Sequence, residues 1–424
     1  MRTAFSPLQL TDPHLAEAER NLRACVHCGI CTATCPTYVL LGDERDGPRG
    51  RIVLMQNMLE NGTAPDPETV LHVDRCLSCL ACRTACPSSV DYARLVDEAR
   101  THIQTTYRRP LGDKLLRWLI ATVLPRPALV RAGLFVARLM GPLVSLLPGR
   151  LQHMARLGAH TQLSGPVSLP RAVLPNARRI ALMPGCVQAA VAPDIDAAVA
   201  RVLARRGIEL VPLEGAGCCG AIVHHLGRSE DAKNWARRAI EAFERAGGAA
   251  AFEGVLITAT GCSAHLKDLA HPFLDDPHWL PRAQAFSAGC RDFLELAEPI
   301  QREPRHLRVA WQAACSLQNG LKLAGKGEAL LVAAGFDVAA IPEGHLCCGS
   351  AGSYSILQPD IAGALRERKL SNIALAQADI VASSNIGCLN HLAGPRVPPM
   401  VHVAELVDWV EGGPVPVALA KRVR

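Results

Sequence analysis

The stretch ACVHCGICTATCP, residues 24–36, sets four cysteines, Cys25, Cys28, Cys31 and Cys35, at intervals of two, two and three residues, with Pro36 directly after the last. The pattern returns as RCLSCLACRTACP, residues 75–87, in Cys76, Cys79, Cys82, Cys86 and Pro87. A structural zinc site draws on two separated pairs of ligands, and four thiols packed into so short a run do not suit it.

The spacing C-x2-C-x2-C-x3-C-P is the bacterial ferredoxin run. Three close cysteines can curl round one face of an iron–sulfur cube, while the fourth, turned away ahead of its proline, reaches the neighbouring cluster. On that logic Cys25, Cys28, Cys31 and Cys86 hold one [4Fe–4S] cluster, and Cys76, Cys79, Cys82 and Cys35 hold the other. Two clusters in one small module form an electron relay.

A second repeat fills the C-terminal half. RRIALMPGC (178–186), IELVPLEGAGCCG (208–220) and GVLITATGCSAH (254–265) are matched by LRVAWQAAC (307–315), DVAAIPEGHLCCG (337–349) and ADIVASSNIGCLNH (378–391). Thirty-one residues separate Cys186 from Cys218, and thirty-one separate Cys315 from Cys347. Short apolar β-branched runs alternate with amphipathic stretches, which predicts a parallel sheet covered by helices in each copy. The thiols follow the predicted strands, so Cys186, Cys218, Cys219 and Cys262 should gather at one rim, and Cys315, Cys347, Cys348 and Cys388 at another. The glycine after each cysteine pair permits close backbone approach. Three readings stand for these rims: a further iron–sulfur cluster in each, a zinc or vestigial site in at least one, or redox-active thiols without metal. His265 and His391, which follow the last cysteine of each copy, are ligands or helix caps. His224 and His225 read as a helix face beside the first pair, and Cys290 as a buried structural residue.

The expected architecture is α+β and multidomain. A mainly helical two-cluster ferredoxin-like module spans residues 15–100, a helical connector 101–176, and two repeated α/β domains with parallel sheets 177–300 and 306–415. Hydrophobic content of 49% is ample for large cores, and aromatic content of 4% makes them aliphatic. The net charge of +6 is scattered, with no stripe for nucleic acid, and suits an acidic partner or an anionic membrane surface. The N-terminus lacks the apolar core of a signal peptide, and in a reducing cytosol seventeen cysteines bind metal or do redox chemistry sooner than form disulfides. The run Ala132–Pro148 carries Arg138, is broken by Pro142 and is short for a bilayer crossing. The Arg- and Leu-rich segment 111–156 is the candidate docking surface for a membrane or a partner subunit. Neither a dinucleotide fingerprint nor a P-loop is present, so the electrons must come from another subunit.

A tandem ferredoxin module followed by two CCG domains resembles the family of the glycolate oxidase iron–sulfur subunit. Related are the iron–sulfur subunits of anaerobic glycerol-3-phosphate dehydrogenase and heterodisulfide reductase. CVHCGICTATCPTY, GDERDGPRGRI and CLSCLACRTACPS carry the resemblance, which covers roughly residues 15–415. It implies an electron-transfer subunit with no catalytic residue of its own, inactive alone. FAD would sit on a partner that oxidises glycolate to glyoxylate, beside a second flavoprotein-like subunit, with a membrane quinone or another acceptor downstream. Location on the inner face of the cytoplasmic membrane is implied too. Hydride removal from the 2-hydroxy acid would belong to the flavin. Lactate, glycerol 3-phosphate or a heterodisulfide are the alternative substrates. The relatives that reduce heterodisulfides end a CCG domain in C-x2-C, whereas histidine stands here at 265 and 391, which removes the fifth thiol of each copy. Reduction chemistry at the CCG thiols, and a zinc-stabilised assembly role, are the readings from other classes.

Overall fold

The computed structural model describes residues 1–139, 169–170, 177–395 and 397–420. The N-terminal module packs four helices, Pro13–Ala24, Pro48–Asn61, Pro67–Asp74 and Tyr92–Thr106. The first three open on proline, whose missing N–H falls where a helix has no acceptor for it. Asp12 and Asp66 accept backbone N–H groups at two of the starts. The helix Pro48–Asn61 is closed by Gly62 in the left-handed region. Leu22, Met55, Leu59, Val73, Leu95, Val96 and Ile103 form the core, and both cysteine runs connect these helices, the first through a 3-10 turn at Ile30–Thr32 and the second through a short helix at Ala81–Thr84. The last helix continues past residue 100 and buries Ile103, so the packing of this module extends beyond that position.

The connector begins with helices Leu111–Val123 and Pro127–Leu139, bent by 120° at their junction. Leu116, Ile120 and Ala121 face inward, whereas Leu111, Leu115, Trp118, Phe135 and Leu139 are exposed. Residues 140–156 of the expected docking segment, Pro142 among them, lie outside the described residues. Among the described residues no single helix is long and apolar enough to cross a membrane.

Two α/β units follow with one topology. In the first, β1 (Arg178–Leu182), β2 (Ile208–Pro212), β3 (Val255–Ile257) and β4 (Cys290–Asp292) make a parallel sheet in the order β2-β1-β3-β4. In the second, β5 (Arg308–Trp311), β6 (Asp337–Ala339), β7 (Ile380–Ser383) and β8 (Met400–His402) repeat it as β6-β5-β7-β8. One apolar core runs through both units. Arg201 and Arg205 clamp Asp408 at 2.6 and 2.9 Å, and Arg206 holds Glu411 at 2.7 Å, which fixes the helices Asp194–Ala204 and Val403–Val410 together.

His402 starts the helix Val403–Val410: its Nδ1 accepts the Ala404 N–H at 3.2 Å, and Glu405 returns a bond to the His402 N–H at 3.0 Å. The ring is fully buried, and burial pulls its pKa down to about 4. Unfolded imidazole protonates near pH 6.5. Between pH 6.5 and 4 the unfolded chain therefore binds the extra proton, and stability falls as pH falls through that window. His402→Asn keeps a cap acceptor that does not titrate. Denaturant unfolding at pH 7.5 and 5 should show a pH loss smaller by about 2 kcal/mol in the variant. An unchanged difference would contradict this account.

Candidate metal centres

The two ferredoxin runs fold alike. The second residue after each first cysteine, His27 or Ser78, and the fourth, Gly29 or Leu80, adopt positive φ, at 56° and 51°, then 80° and 59°. Alternation of this kind turns successive N–H groups inward and makes a concavity that suits anions. Left-handed backbone at His27, Ser78 and Leu80 is costly, and the packing around it must hold it.

Cys25, Cys28 and Cys31 of the first run line one cavity together with Cys82 and Cys86 of the second. Its rim carries Cys28, Val26 and Ile30, all exposed. A second cavity is lined by Cys35, Cys76, Cys79 and Cys82. Pro48, Cys82 and Tyr92 line both, so a single layer of side chains divides them.

Two features show what the cavities suit. The Tyr92 side chain is buried, and its hydroxyl has no hydrogen-bond partner among the described residues. Such an orphan costs free energy unless an acceptor occupies the cavity. Arg51, 1% exposed, points a guanidinium at Cys35, with Nη1 3.8 Å from Sγ. A buried cation there asks for an anion. Burial pushes the Cys79 and Cys82 thiols well up, so a metal must displace their protons. Thiols, orphaned hydroxyl and buried cation together fit anionic iron–sulfur clusters, one to a cavity. Cys25, Cys28, Cys31 and Cys86 could hold one, and Cys76, Cys79, Cys82 and Cys35 the other. Asp43, Asp46 and His72 also lie close enough together for a cation, but two guanidiniums already occupy Asp46.

Both α/β units bring their thiols to the carboxyl ends of their strands. In the first, Cys186 and Cys218 lie 3.4 Å apart, and the Gly220 N–H points at Cys218 Sγ from 3.4 Å, which favours its thiolate. In the second, the Cys315–Cys347 and Cys348–Cys388 sulfurs are 3.8 and 3.3 Å apart. Gly220 and Gly349 have φ of 86° and 93°, and a Cβ on Gly349 would meet the Ala362 carbonyl oxygen at 2.7 Å. The two histidines diverge. His391 Nε2 lies 3.3 Å from the Ala362 carbonyl oxygen. The His265 ring stands 5.2 Å from that of His224, and burial lowers its pKa to about 4. Cys290 is buried in β4 and donates to the Phe286 carbonyl.

The N-terminal module meets the two units differently. Leu77 and Cys79 share an apolar core patch with Cys315, Cys347 and Tyr354 of the second unit. Asn319 donates to the Cys79 carbonyl at 2.9 Å and bonds Thr84 Oγ1 at 2.9 Å, and the Tyr354 hydroxyl donates to the Arg75 carbonyl at 3.0 Å. The first unit docks by polar pairs on the outer face of the module: His224 with Asp97 at 3.1 Å, Arg94 with Asp268 at 2.5 Å, and His271 with Glu17 at 2.8 Å. His224 and His225 thus face Asp97 of the helix Tyr92–Thr106. Sequence reasoning missed Arg51, Tyr92, Asp97, Asn319 and Tyr354. Arg51 alone had a signal, since it ends the GDERDGPRGR stretch between the cysteine runs.

Fold and site together define an iron–sulfur electron-transfer protein, a two-cluster module carried on a pair of cysteine-rich α/β units. Residues 24–90 match the 4Fe-4S dicluster domain family, and residues 180–267 and 309–393 each match the cysteine-rich domain family. The chain is 39% identical to the glycolate oxidase iron-sulfur subunit of Escherichia coli K12, over 96% of this chain and 98% of that one. It is 29% identical to a chain named probable glycolate oxidase iron-sulfur subunit in Bacillus subtilis 168, over 88% of each. It is also 26% identical to lactate utilization protein A of an Exiguobacterium species, over 55% of this chain and 98% of that one. The chain belongs to the family of glycolate oxidase iron–sulfur subunits, and so stands among the iron–sulfur subunits of hydroxy-acid oxidases.

Proposed function

We propose that this chain carries electrons, one at a time, away from a flavin-bearing partner subunit that oxidises glycolate. The observation that carries the reading is the placement of the two thiol-lined cavities. They share the wall of Pro48, Cys82 and Tyr92; one reaches solvent at Cys28, and the other abuts Cys315 and Cys347. Electrons would enter at the Cys28 rim, where exposed Val26 and Ile30 offer an apolar seat for the flavoprotein. They would leave through the inner cavity toward the second cysteine-rich unit. Flavin would supply the hydride chemistry when bound to the partner. This chain holds the clusters, separates them by one layer of side chains and keeps water from the inner one.

Lactate is the second reading, since relatives named lactate utilization protein A align with half of the chain. The connector helices support docking on the inner face of the cytoplasmic membrane. Exposed Leu111, Leu115, Trp118, Phe135 and Leu139 stand among exposed Arg108, Lys114 and Arg126, a pairing that suits an anionic lipid surface.

The test is to purify the native complex anaerobically through a tag on this chain and record electron paramagnetic resonance before and after adding glycolate or lactate. Reduced [4Fe–4S] signals with glycolate, and few with lactate, are expected. The reverse order makes lactate the substrate. Absence of cluster signals under any reductant overturns the relay.

A further inference from the structure

Resting on that relay, we propose that Arg51 is a positioning residue which raises the potential of the inner cluster, the one facing Cys35, Cys76, Cys79 and Cys82, above that of the outer one. It thereby sets the direction of flow. The step is a one-electron exchange: the outer cluster is oxidised as the inner one is reduced, and Arg51 stays protonated throughout.

The charge count at the inner cavity comes out positive. The Arg51 guanidinium donates from Nε to the His72 carbonyl at 2.6 Å and from Nη2 to Thr37 Oγ1 at 3.0 Å, and Nη1 faces Cys35 Sγ. Its carboxylate partner, Asp46, is fully buried and divided. Oδ1 lies 3.4 Å from Arg51 and 2.9 Å from His72 Nδ1, whereas Oδ2 is taken by Arg75 at 2.8 Å. One carboxylate against two guanidiniums leaves a net cation beside Cys35 and Cys76. Arg100, also buried, donates to the Cys76 carbonyl and to Ser78 Oγ, both at 2.6 Å, but the buried carboxylates Asp97 and Asp74 answer its charge, so the net cation rests on Arg51 and Arg75.

The outer cavity lacks this arrangement. Its arginine, Arg49, is paired with Glu44 at 2.7 Å, and both side chains are partly exposed, so their charges cancel and solvent screens the remainder. Reduction adds one negative charge to a cluster. A buried cation therefore favours the reduced form of the inner cluster, in a medium where Coulomb forces are strong. A cation held at this burial also needs the anionic cluster as its counter-charge. That need accounts for an arginine so deep in a helix core.

The experiment is an anaerobic redox titration of the whole complex, followed by electron paramagnetic resonance, in the parent and in Arg51→Gln, Arg51→Lys and Arg75→Gln. In Arg51→Gln the reduced-to-oxidised ratio of one cluster at a fixed potential should fall at least tenfold, about 59 mV for a one-electron couple. The other cluster should stay within about threefold. Arg51→Lys keeps the charge and should restore most of the ratio. Arg75→Gln lets Asp46 neutralise Arg51 and should shift the same cluster in the same direction by less. Should Arg51→Gln fail to assemble, the half-exposed Arg75 position decides. Unmoved midpoints in Arg75→Gln with both clusters present, or equal falls in Arg51→Gln and Arg51→Lys, overturn the proposal. A parent complex without two reducible clusters overturns the relay itself.

Discussion

Cys347→Ser should slow electron delivery from the glycolate-reduced complex to its acceptor on the order of 100-fold, while Cys218→Ser should cost no more than about threefold. The two positions are equivalent in the repeat, so sequence alone ranks them equally. The difference comes from packing. Cys347 belongs to the same apolar patch as Cys79 and Cys315, next to the inner cavity. Cys218 lies in a separate core with Cys186, Cys219, Met183 and Phe286, to which no cysteine of the ferredoxin runs belongs among the described residues. The first unit touches the N-terminal module through ion pairs on the far side of the helix Tyr92–Thr106 instead. Steady-state turnover with a soluble acceptor gives the ratio. Stopped-flow reduction of the N-terminal clusters should be unchanged in both variants, which separates a broken relay from a misfolded chain. Equal losses, or a larger loss at Cys218, would sink the proposed route.

Replacing Leu115 and Trp118 together by aspartate should weaken binding to mixed phosphatidylcholine–phosphatidylglycerol vesicles by at least about 100-fold. Burying a large apolar side chain is worth about 1.5–3 kcal/mol, so two of them carry an effect of that size. Leu115 and Trp118 are 64% and 53% exposed, so their replacement should leave the fold intact, which circular dichroism checks. Co-sedimentation measures the loss, and added salt should weaken the parent through its basic residues. A parent that ignores the vesicles, or a double variant that binds as the parent does, excludes lipid as the occupant of this face.

The parallel sheets were legible because β-strands buried on both faces read as continuous apolar runs, such as Ile180–Met183 and Ile380–Ala382, and a repeat doubles the evidence. The placement of thiols at strand ends followed from the general geometry of open α/β sheets. The helix Pro48–Asn61 was legible, as a run from about Arg49 to Glu60, from the turn before it and its Asn61-Gly62 stop. Harder to read were residues whose roles depend on distant partners. His224 and His225 do lie on a helix beside the cysteine pair, Ala221–His225, and what spacing did not show is that they face Asp97, more than a hundred positions away. His265 and His391 occupy equivalent positions and part company, because each ring settles against a different neighbour.

Local spacing was sufficient for the chemistry. The two C-x2-C-x2-C-x3-C-P runs point to iron–sulfur ligation and the two CCG repeats to the sheet type, since ligand geometry and strand periodicity act over a few residues. The proposed route into the second unit, and the proposed net charge at one cavity, rest on the tertiary structure alone. Cys79 against Cys347, and Arg51 against a divided Asp46, are contacts made by packing between segments, and spacing along the chain does not encode them.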